Sequence, residues 1–581
     1  MTLRTLLDRF DLLMNTPESV PKLRRFILQL AVRGRLSDRR SSDEPVEALL
    51  ERMEEEKERL DAAGEYKYQK TMPPIEEDDI PFSFSLPEGW TWVRLGNLGK
   101  VYGGGTPKKS NTAYWGGEIP WVSPKDMNGA VIQSTEDQIT QKGLEESSAK
   151  LVPPGSLLIV GRSGILERKL PVGVTAVECT ANQDLKVLTP FVLGMSRYIR
   201  LILKGFEPYI LDELVKTGTT VRSLKYTEFQ LQSYPLPPID EQQRIVETVD
   251  RLMDECDALE QQQERERILQ VQVGTAATEA LQSAEDAEAL HPAWERVREH
   301  FDTVTATPEG VDALRQTILQ LAVQGRLTER APDDTPADML LERIHREKQR
   351  LYDAGEIRKP KSGSDIEDQE LPFDLPTSWK WARLTDAVQR VVDCLHKTAP
   401  FEDEDTGYYC VDTTCMNETE IEFENLRPVS AETYEEWTRR MVPQGGDILF
   451  SREGNIGLTA IVPEDMKLCL GQRMMIFRLP DELLSRYFHL VLQAPVVTKQ
   501  WKPEVMGTAA TRVNISTIRD FLVPIPPVEE QARITRAVNK ILPNCEDLKT
   551  KTVEAMERGE DVLQSAFHSL STSTDRETVK A

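Results

Sequence analysis

The chain has 581 residues, 39% hydrophobic and 29% charged, which is enough for about three to five folded domains of a soluble globular protein. Its net charge of −25 excludes non-specific nucleic-acid binding over the whole surface, because phosphate contacts need lysine and arginine, but it leaves a local basic surface open. The start MTLRTLLDRFDLLMN lacks a signal-type apolar run, no stretch predicts a membrane span, and the seven cysteines form no CxxC pair. We therefore expect a protein of the reducing cytoplasm.

Residues 1–87 are predicted to be helical. Leu23, Ile27 and Leu30 recur at spacings of three and four on one apolar helix face, and Gly34 stands where such a helix would end. The segment LLERMEEEKERLDAAGE (49–65) has the Glu, Lys and Arg content of a second helix. This part of the chain is an N-terminal helical region.

Residues 88–238 differ from the first region in amino-acid composition. Glycine and proline clusters, aromatic residues and short apolar runs such as SLLIV are typical of strands bounded by turns. The region holds 17 basic and 14 acidic residues, a balance of about +3. We predict a globular domain of mixed helix and sheet with a surface suited to DNA phosphates.

A long helix is predicted at the start of the next region, 239–376. Its apolar residues step by four and three, the heptad pattern of a coiled-coil seam, and a cysteine in that seam is interpreted as a small buried hydrophobic residue. The remainder of the region repeats the N-terminal helices. The seam residues are Ile245, Val249, Leu252, Cys256 and Leu259.

The second half ends with the same two parts. Residues 377–527 are a second mixed region with 16 basic and 22 acidic residues, about −6, so DNA binding there needs a more local basic patch. Residues 528–581 carry a second heptad helix, which Pro543 is expected to kink or interrupt. Its seam residues are Ile534, Val538, Ile541, Cys545 and Leu548.

The chain as a whole is one long two-fold repeat with an almost constant offset of about 290 residues. This period is far longer than that of a solenoid, so two copies of one set of domains are predicted. The matched pairs are LQLAVRGRL (28–36) with LQLAVQGRL (319–327), FDLLMNTPESVPKLRR (10–25) with FDTVTATPEGVDALRQ (301–316), LLERMEEEKERLDAAGE with LLERIHREKQRLYDAGE (340–356), LPEGWTWVRL (86–95) with LPTSWKWARL (375–384), VPPGSLLIVGRSG (152–164) with VPQGGDILFSREG (442–454), and PLPPIDEQQRI (235–245) with PIPPVEEQARI (524–534).

Over nearly its whole length the chain resembles the specificity subunit of Type I restriction-modification systems. The resemblance lies in the repeated LQLAV-x-GRL, in GGGTPKKSNTAYWGGEIPWVSPKDM (103–127), DCLHKTAPFEDEDTGYYC (393–410) and SREGNIG (451–457), and in the paired PLPPIDEQ and PIPPVEEQ. It implies an α+β fold, an internal two-fold repeat of two globular mixed α/β target-recognition domains separated by long antiparallel coiled-coil-like helices. The implied domains are an N-terminal helical conserved region (1–87), target-recognition domain 1 (88–238), a central helical conserved region (239–376), target-recognition domain 2 (377–527), and a C-terminal heptad helix with a tail (528–581).

The resemblance also implies a function. Each target-recognition domain would read one half of a bipartite site in double-stranded DNA, while the helices would set the spacer and dock two methyltransferase subunits, joined by restriction and translocase subunits. This chain would be non-catalytic and hold no cofactor, with S-adenosylmethionine, ATP and Mg bound by partner subunits in the cytoplasm of a bacterium or archaeon. A helix of about 30 residues spans roughly 45 Å, and half-sites one DNA turn apart lie about 34–36 Å apart, so such a helix is long enough to set the spacing.

Candidate DNA contacts in the first mixed region are polar residues in glycine-rich or turn segments. Lysine and arginine suit phosphates or guanine, and small polar side chains suit phosphates or base edges, whereas Trp115 and Trp121 are expected to pack in the core. In TGTTVRSLKYTEF (217–229), a Gly-Thr turn precedes a predicted helix start, and the N-terminus of a helix suits a phosphate. The candidates are Lys108, Lys109, Ser110, Asn111, Tyr114, Lys125, Arg162, Ser163, Thr219, Arg222 and Lys225.

The second mixed region offers a corresponding set. Arg452 in SREGNIG matches Arg162 in GRSG, and both are expected to be exposed beside glycines, the alternative being a salt-bridged surface arginine. The candidate contacts are His396, Lys397, Thr398, Arg452, Asn455, Arg473, Thr508, Arg512 and Asn514. By the resemblance, helix ends face the methyltransferase subunits through Arg33, Gly34, Arg35, Gly325 and Arg326, although these helices could instead pack on one another.

Two other functions stay open. A zinc-dependent hydrolase would use Cys394, His396, Cys410 and Cys415, but their spacing matches no standard finger and we predict no metal site. A scaffold that binds only proteins would suit the net charge of −25. Motifs of catalysis are missing, since the sequence has no GxxxxGK[ST] loop, no Asn/Asp-Pro-Pro-Phe/Tyr tetrapeptide and no histidine within 88–238.

Overall fold

The computed structural model describes residues 16, 18–65, 72–80, 82, 84–216, 221–284, 287–360, 362–505 and 512–572. The chain divides into two compact units: unit 1 consists of residues 1–265 and 556–581, and unit 2 consists of residues 266–555. Over the described ranges, no helix combines the length and the apolar character needed to span a membrane.

Unit 1 begins with the helix predicted from the apolar stripe. Helix α1 (Ser19–Val32) buries Ile27 and Leu30, and Gly34 follows with a φ of +66°. The N–H of Arg35 donates to the carbonyl of Leu30 at 2.9 Å, which closes the helix end in the left-handed manner that glycine favours. The other helices that begin in unit 1 are α2 (Val46–Ala62), α3 (Gln141–Glu145), α4 (Ser196–Gly205), α5 (Glu207–Glu213), α6 (Tyr226–Leu231) and the long α7 (Ile239–Ser283).

The mixed part of unit 1 has two larger sheets and two strand pairs. The strands are β1 (Thr91–Arg94), β2 (Gly99–Gly103), β3 (Trp115–Val122), β4 (Val131–Ile132), β5 (Asp137–Ile139), β6 (Leu151–Val152), β7 (Leu157–Val160), β8 (Val172–Thr175), β9 (Cys179–Ala181), β10 (Leu185–Pro190), β11 (Val215–Lys216), β12 (Ser223–Leu224) and β13 (Ser233–Leu236). One sheet has the order β2-β10-β7-β8-β4 and the other β5-β3-β9-β6, while β1 pairs with β13 and β11 with β12. All four residues of β7 are buried, as the apolar run SLLIV predicts for a central strand.

Unit 2 has the same kinds of element. Its helices are α8 (Ala287–Glu299), α9 (Phe301–Val304), α10 (Pro308–Val323), α11 (Ala337–Asp353), α12 (Leu384–Ala387), α13 (Ala431–Thr438), α14 (Ser485–Gln493), α15 (Pro495–Val505), α16 (Ile515–Arg519) and the long α17 (Val528–Thr572), which ends in unit 1. Its strands are β14 (Lys380–Arg383), β15 (Arg390–Asp393), β16 (Tyr409–Val411), β17 (Arg427–Pro428), β18 (Ile448–Ser451), β19 (Thr459–Ile461), β20 (Leu468–Leu470), β21 (Met474–Arg478) and β22 (Leu522–Ile525).

The sheets of the two units repeat one another. The order β15-β21-β18-β19 in unit 2 matches β2-β10-β7-β8 in unit 1, and β14 pairs with β22 as β1 pairs with β13. Parallel pairing of β16 with β20 likewise matches that of β3 with β9. The repeat seen in the sequence is therefore a repeat of topology, and the predicted mixture of helix and sheet is confirmed.

The paired PIDEQ and PVEEQ segments fix the start of each long helix by the same buried hydrogen bond. The indole N–H of Trp90 donates to Glu241 Oε2 at 3.2 Å, and that of Trp379 donates to Glu530 Oε2 at 2.8 Å. Burial raises the pKa of the Glu530 carboxyl, and the Trp379 N–H opposes this by stabilising the charged form. A tryptophan before the first strand of each mixed part is thus tied to the helix that follows its last strand.

The heptad residues of the long helices face the core of the unit in which each helix starts. Ile245 and Cys256 on α7 are buried in the core that contains α1, and Ile534 and Cys545 on α17 are buried in unit 2. The two seam cysteines are therefore small buried hydrophobic residues, as predicted. Helix α17 continues through Pro543, so the predicted interruption is wrong, and the exposed position of the proline accounts for its tolerance there.

Candidate nucleic-acid interface

Four loops meet at one end of the larger sheet of unit 1. The N–H of Gly104 donates to the carbonyl of Leu185 at 3.2 Å, that of Arg162 to Asp184 at 3.1 Å, and that of Ser163 to Arg222 at 3.0 Å. These bonds join residues 104–111, 161–164, 182–184 and 222–223, which we call the first rim. The rim brings together three segments that the sequence analysis treated separately: the glycine loop, GRSG and the segment that contains Arg222.

The same four loops meet in unit 2. Cys394 N–H donates to the carbonyl of Met474 at 3.1 Å, Arg452 N–H to Arg473 at 2.9 Å, and Val513 N–H to Arg452 at 2.9 Å. Residues 394–398, 452–454, 471–473 and 512–513 form the second rim. The first two bonds match those of the first rim position by position, and the third joins the same two loops with donor and acceptor exchanged. Each unit therefore presents an equivalent platform on which the side chains differ.

The glycine loop of the first rim is supported from beneath by tryptophans. Trp121 is 2% exposed and its indole donates to the carbonyl of Gly105 at 3.0 Å, and Trp115 packs edge-on against it with 5.0 Å between ring centroids. The prediction that these tryptophans pack in the core is thus confirmed for Trp121, while Trp115 is partly exposed. Lys108 and Lys109 are exposed on the loop, so their ammonium groups are available to an anion.

Other predicted residues of the glycine loop take part in contacts within the unit. Ser110 is exposed, whereas the Asn111 side chain accepts from the N–H of Ala113 at 3.2 Å and Tyr114 Oη donates to Glu146 Oε2 at 3.0 Å. Each of these contacts is near the surface, where breaking it for a new partner costs little.

Outside the glycine loop, three of the four predicted cations of unit 1 are paired. Lys125 lies 2.9 Å from Glu136, Arg222 lies 3.1 Å from Glu167, and Lys225 donates to the carbonyl of Glu213 at 2.7 Å. The hydrogen bond that Lys125 donates to Glu136 raises the pKa of Lys125, and burial opposes this rise. Arg162 is exposed and makes no ion pair with any described residue. Ser163 caps the turn that follows by accepting from Ile165, and Thr219 lies outside the described residues.

Arg452 differs from the prediction of an exposed arginine. It is 7% exposed, with its Nε 3.0 Å from Asp393 Oδ1, its Nη1 3.1 Å from Glu453 Oε1, and its Nη2 3.2 Å from His396 Nε2. The physical reason lies in its neighbours, because the repeat places Gly103 and Ser163 in unit 1 where unit 2 has Asp393 and Glu453. Arg452 is therefore a residue that holds the second rim together, not a free cation on it.

The other predicted residues of unit 2 are at the surface. His396 adopts a φ of +56° and its Nε2 lies 2.8 Å from Asp393 Oδ2, and Arg473 adopts a φ of +72° without an ion pair to any described residue. Thr508 lies outside the described residues. The exposed candidates are His396, Lys397, Thr398, Asn455, Arg473, Arg512 and Asn514.

The proposed zinc ligands do not come together. Among the described residues, the group that could hold a metal is Asp393, Cys394 and His396, and it excludes Cys410 and Cys415. The guanidinium of Arg452 contacts two members of that group, so a positive charge already lies there. Cys410 instead pairs in register with Cys469 on the neighbouring strand. The zinc-hydrolase alternative thus loses its ligand set.

The glycines predicted to face a partner are buried within their own units. A Cβ on Gly34 would lie 2.5 Å from Pro87 Cγ, and one on Gly325 would lie 2.8 Å from Pro376 Cγ. The Arg33 guanidinium lies 5.4 Å from the centroid of the Phe84 ring, and burial lowers its pKa. Both glycines are therefore needed for internal packing, and Arg35 and Arg326 beside them are half-buried. The assignment of these residues to a partner surface stays a prediction.

Sequence reasoning missed four residues in the rims or next to them. Asp184 and the matched glutamines Gln183 and Gln472 lie in the third loop, and Asp393 anchors Arg452. The repeat itself could have indicated the third loop, since ANQDL (181–185) and LGQRM (470–474) align in it.

The comparisons with known proteins agree on one family. The model of the Type I restriction modification DNA specificity domain matches residues 87–270 and 402–558. The Type I restriction enzyme EcoEI specificity subunit of Escherichia coli is 29% identical over 566 residues, which cover 93% of this chain and 91% of that protein. The EcoR124I/EcoR124II specificity subunit of Escherichia coli is 42% identical over 161 residues, covering 28% and 40%.

Solved structures give a weaker likeness over a similar length. A chain from a study of complex assembly and conformational transition of the type I R-M system is 17% identical with a TM-score of 0.43, covering 84% of this chain and 99% of that one. The HsdS subunit from Thermoanaerobacter tengcongensis is 17% identical with a TM-score of 0.34, covering 84% and 97%.

Proposed function

The chain belongs to the family of Type I restriction-modification DNA specificity proteins, and from that premise we propose that it is the sequence-reading subunit of such a complex. Each unit reads one half of a bipartite site in double-stranded DNA through its rim. The observation that carries this proposal is the duplication: the same four loops are joined by matched backbone bonds in both units, while their side chains differ. Equivalent platforms with different side chains suit two different half-sites.

The charges on the rims fit duplex DNA better than a protein partner. In a chain of net charge −25, the first rim exposes Lys108, Lys109 and Arg162, and the second exposes Lys397, Arg473 and Arg512. Cations gathered at one place on an acidic molecule give local attraction for phosphate while the rest of the surface repels it. This argues against the alternative of a scaffold that binds only proteins.

Partner subunits complete the proposed complex. Two methyltransferase subunits dock on the helical regions, and restriction and translocase subunits join them. Methylation and cleavage, with S-adenosylmethionine, ATP and Mg, belong to those partners, and this chain contributes recognition and spacing. Helices α7 and α17, each of 45 residues, provide the length that a fixed spacer needs.

The test is DNA binding by the complex assembled with its methyltransferase subunits. Arg162→Ala removes an exposed guanidinium from the first rim, and we expect it to weaken binding to a duplex with the bipartite site by about 1–3 kcal/mol. Arg197→Ala is the matched control. Arg197 is also exposed, but it follows Ser196, which bonds Gly155 before the opposite end of β7. Equal affinities for wild type, R162A and R197A would contradict the rim as the DNA-binding surface.

A further inference from the structure

The second rim holds two strained residues. Among the described residues, His396 and Arg473 are the non-glycine residues with positive φ, at +56° and +72°. Side chains disfavour this conformation because the Cβ approaches the following carbonyl, and it persists where the surroundings impose it, often at functional sites. Arg473 is fixed by its neighbours, since Arg452 donates to its carbonyl at 2.9 Å and Gly471 donates to the carbonyl of Val411 at 2.8 Å.

A cavity of about 200 Å³ lies beside this strained loop. Its lining includes Thr398 and Arg473 from the second rim, with Asp412, Arg427 and Phe401 behind them. The loop approaches Asp412 closely, because a Cβ on Gly471 would lie 2.7 Å from Asp412 Cβ. Arg473, which is exposed, and Asp412 are therefore wall residues of one small polar cavity.

The carboxylate of Asp412 is ionised and has acceptor capacity left. Its Oδ1 accepts from the N–H and hydroxyl of Thr414 at 2.8 and 2.6 Å, and its Oδ2 accepts from Arg427 at 2.5 Å. Burial opposes ionisation, but the Thr414 and Arg427 contacts hold the pKa of this carboxyl below its usual value. The Cys415 thiol lies 3.7 Å from Oδ1 but closer, at 3.1 Å, to the carbonyl of Asn425, which takes its single S–H. Each carboxylate oxygen offers about two acceptor positions, so about one remains on Oδ2 for a ligand. Arg427 also stacks on Phe401, 3.8 Å from the ring centroid, which fixes it in place.

The wall chemistry favours a base pair over a phosphate. The ion pair with Arg427 balances the charge of Asp412, so a phosphate could bind Arg473 but would supply no donor to the remaining acceptor position of Asp412. A G·C pair in the major groove presents the O6 and N7 acceptors of guanine beside the N4 amine donor of cytosine. Arginine donates to O6 and N7 together, and aspartate accepts from N4. Resting on the proposed function, we propose that Arg473 and Asp412 read a G·C pair in the half-site of unit 2.

The first rim carries the opposite charge at the matched position. Arg162 N–H donates to the carbonyl of Asp184, as Arg452 N–H donates to that of Arg473, so Asp184 takes the place of Arg473. A residue needed only for the framework would be the same in both units. The exchange of a carboxylate for a guanidinium on one backbone position is instead what two readers of different sequences require.

The test uses the complex with its methyltransferase subunits and duplexes in which each base pair of both half-sites is replaced in turn. Wild type should prefer G·C at one position of the unit 2 half-site by roughly 5- to 150-fold, and Arg473→Ala should abolish that preference while leaving those of the other half-site unchanged. Replacing the guanine with 7-deazaguanine, which lacks N7, should weaken binding by wild type but not by R473A. Because Arg473 is exposed, its substitution leaves the core intact.

Arg486→Ala is the matched control, because Arg486 is also exposed and follows Ser485, which bonds Gly446 before the opposite end of β18. R486A should keep every preference of wild type. If R473A keeps the preferences of the unit 2 half-site, or weakens all duplexes equally as a phosphate contact would, the inference is overturned and the proposed function stands. If wild type itself shows no preference at any position, the proposed function is overturned, and this inference with it.

Discussion

At the end of β7 the guanidinium of Arg162 is exposed, whereas at the end of β18 Arg452 is 7% exposed and lies 3.0 Å from Asp393. The side chain of Asp393 is 12% exposed, so the pair is almost completely shielded from water. A buried ion pair adds little net stability over an apolar pair, but removing one partner leaves an uncompensated charge. The same residue type at matched positions thus has two different physical roles.

This contrast gives a prediction for stability. Arg452→Ala removes the guanidinium from Asp393 and leaves His396 as the partner of that carboxylate, so it should lower the free energy of unfolding of unit 2 by about 3 kcal/mol, the lower end of the range for a broken buried ion pair. Arg162→Ala, at the matched exposed position, should change the stability of unit 1 by no more than about 0.5 kcal/mol. Urea unfolding of the two variants measures both effects. A loss in R452A as small as that in R162A would show that Arg452 does not hold the second rim.

The burial of Arg452 was beyond sequence reasoning for a physical reason. GRSG and SREG look alike locally, and the difference comes from Asp393, which is 59 positions away in the chain. Arg473 and Lys108, predicted as candidate DNA contacts, are exposed on loops between strands, where side chains are usually at the surface. Residues whose environment is local could be predicted, but those whose environment depends on a distant loop could not.

The sequence predicted individual helices and strands better than it predicted how they are arranged. The apolar stripes and glycine caps of α1 and α10, and the buried strands β7 and β18, follow from periodicity and local chemistry. Continuation of α17 through Pro543 was missed, because tertiary packing of the flanking turns outweighed the local effect of proline. The sequence analysis also did not predict that four loops meet at each rim. Which loops lie together depends on the order of the strands in the sheet, and the sequence of a single strand does not determine its neighbours.

The glycine caps give a prediction at this level. Gly325→Ala places a methyl group 2.8 Å from Pro376 Cγ and 3.0 Å from Trp379 Cζ2, at a φ of +70°. It should therefore cost more than the roughly 1–2 kcal/mol of the left-handed conformation alone. Gly355→Ala is the control, with a φ of +74° and nothing within 4 Å of the added Cβ. Chemical unfolding that gives the same loss for both variants would mean that the cap does not pack tightly on Trp379.

On the scale of the whole molecule, the repeat explains how an acidic chain can read DNA. The net charge of −25 lies mainly outside the first mixed region, whose own balance is about +3. The second mixed region has a balance of about −6, and several of its arginines form internal ion pairs, such as Arg478 with Asp447 and Arg427 with Asp412. What matters for binding is therefore the set of cations left on each rim, not the charge of the domain. Two copies of one platform with different side chains can recognise two different DNA half-sites with the same fold.

Genome-wide mapping of N6-methyladenine in cells that express this chain with the methyltransferase subunits proposed as its partners tests that claim most directly. Two readers held at a fixed spacing predict a methylated motif in two parts separated by a non-specific spacer of constant length. A single continuous motif would contradict a reading role for one of the two rims. A stable complex that methylates no defined sequence would contradict DNA reading by both and favour a protein scaffold.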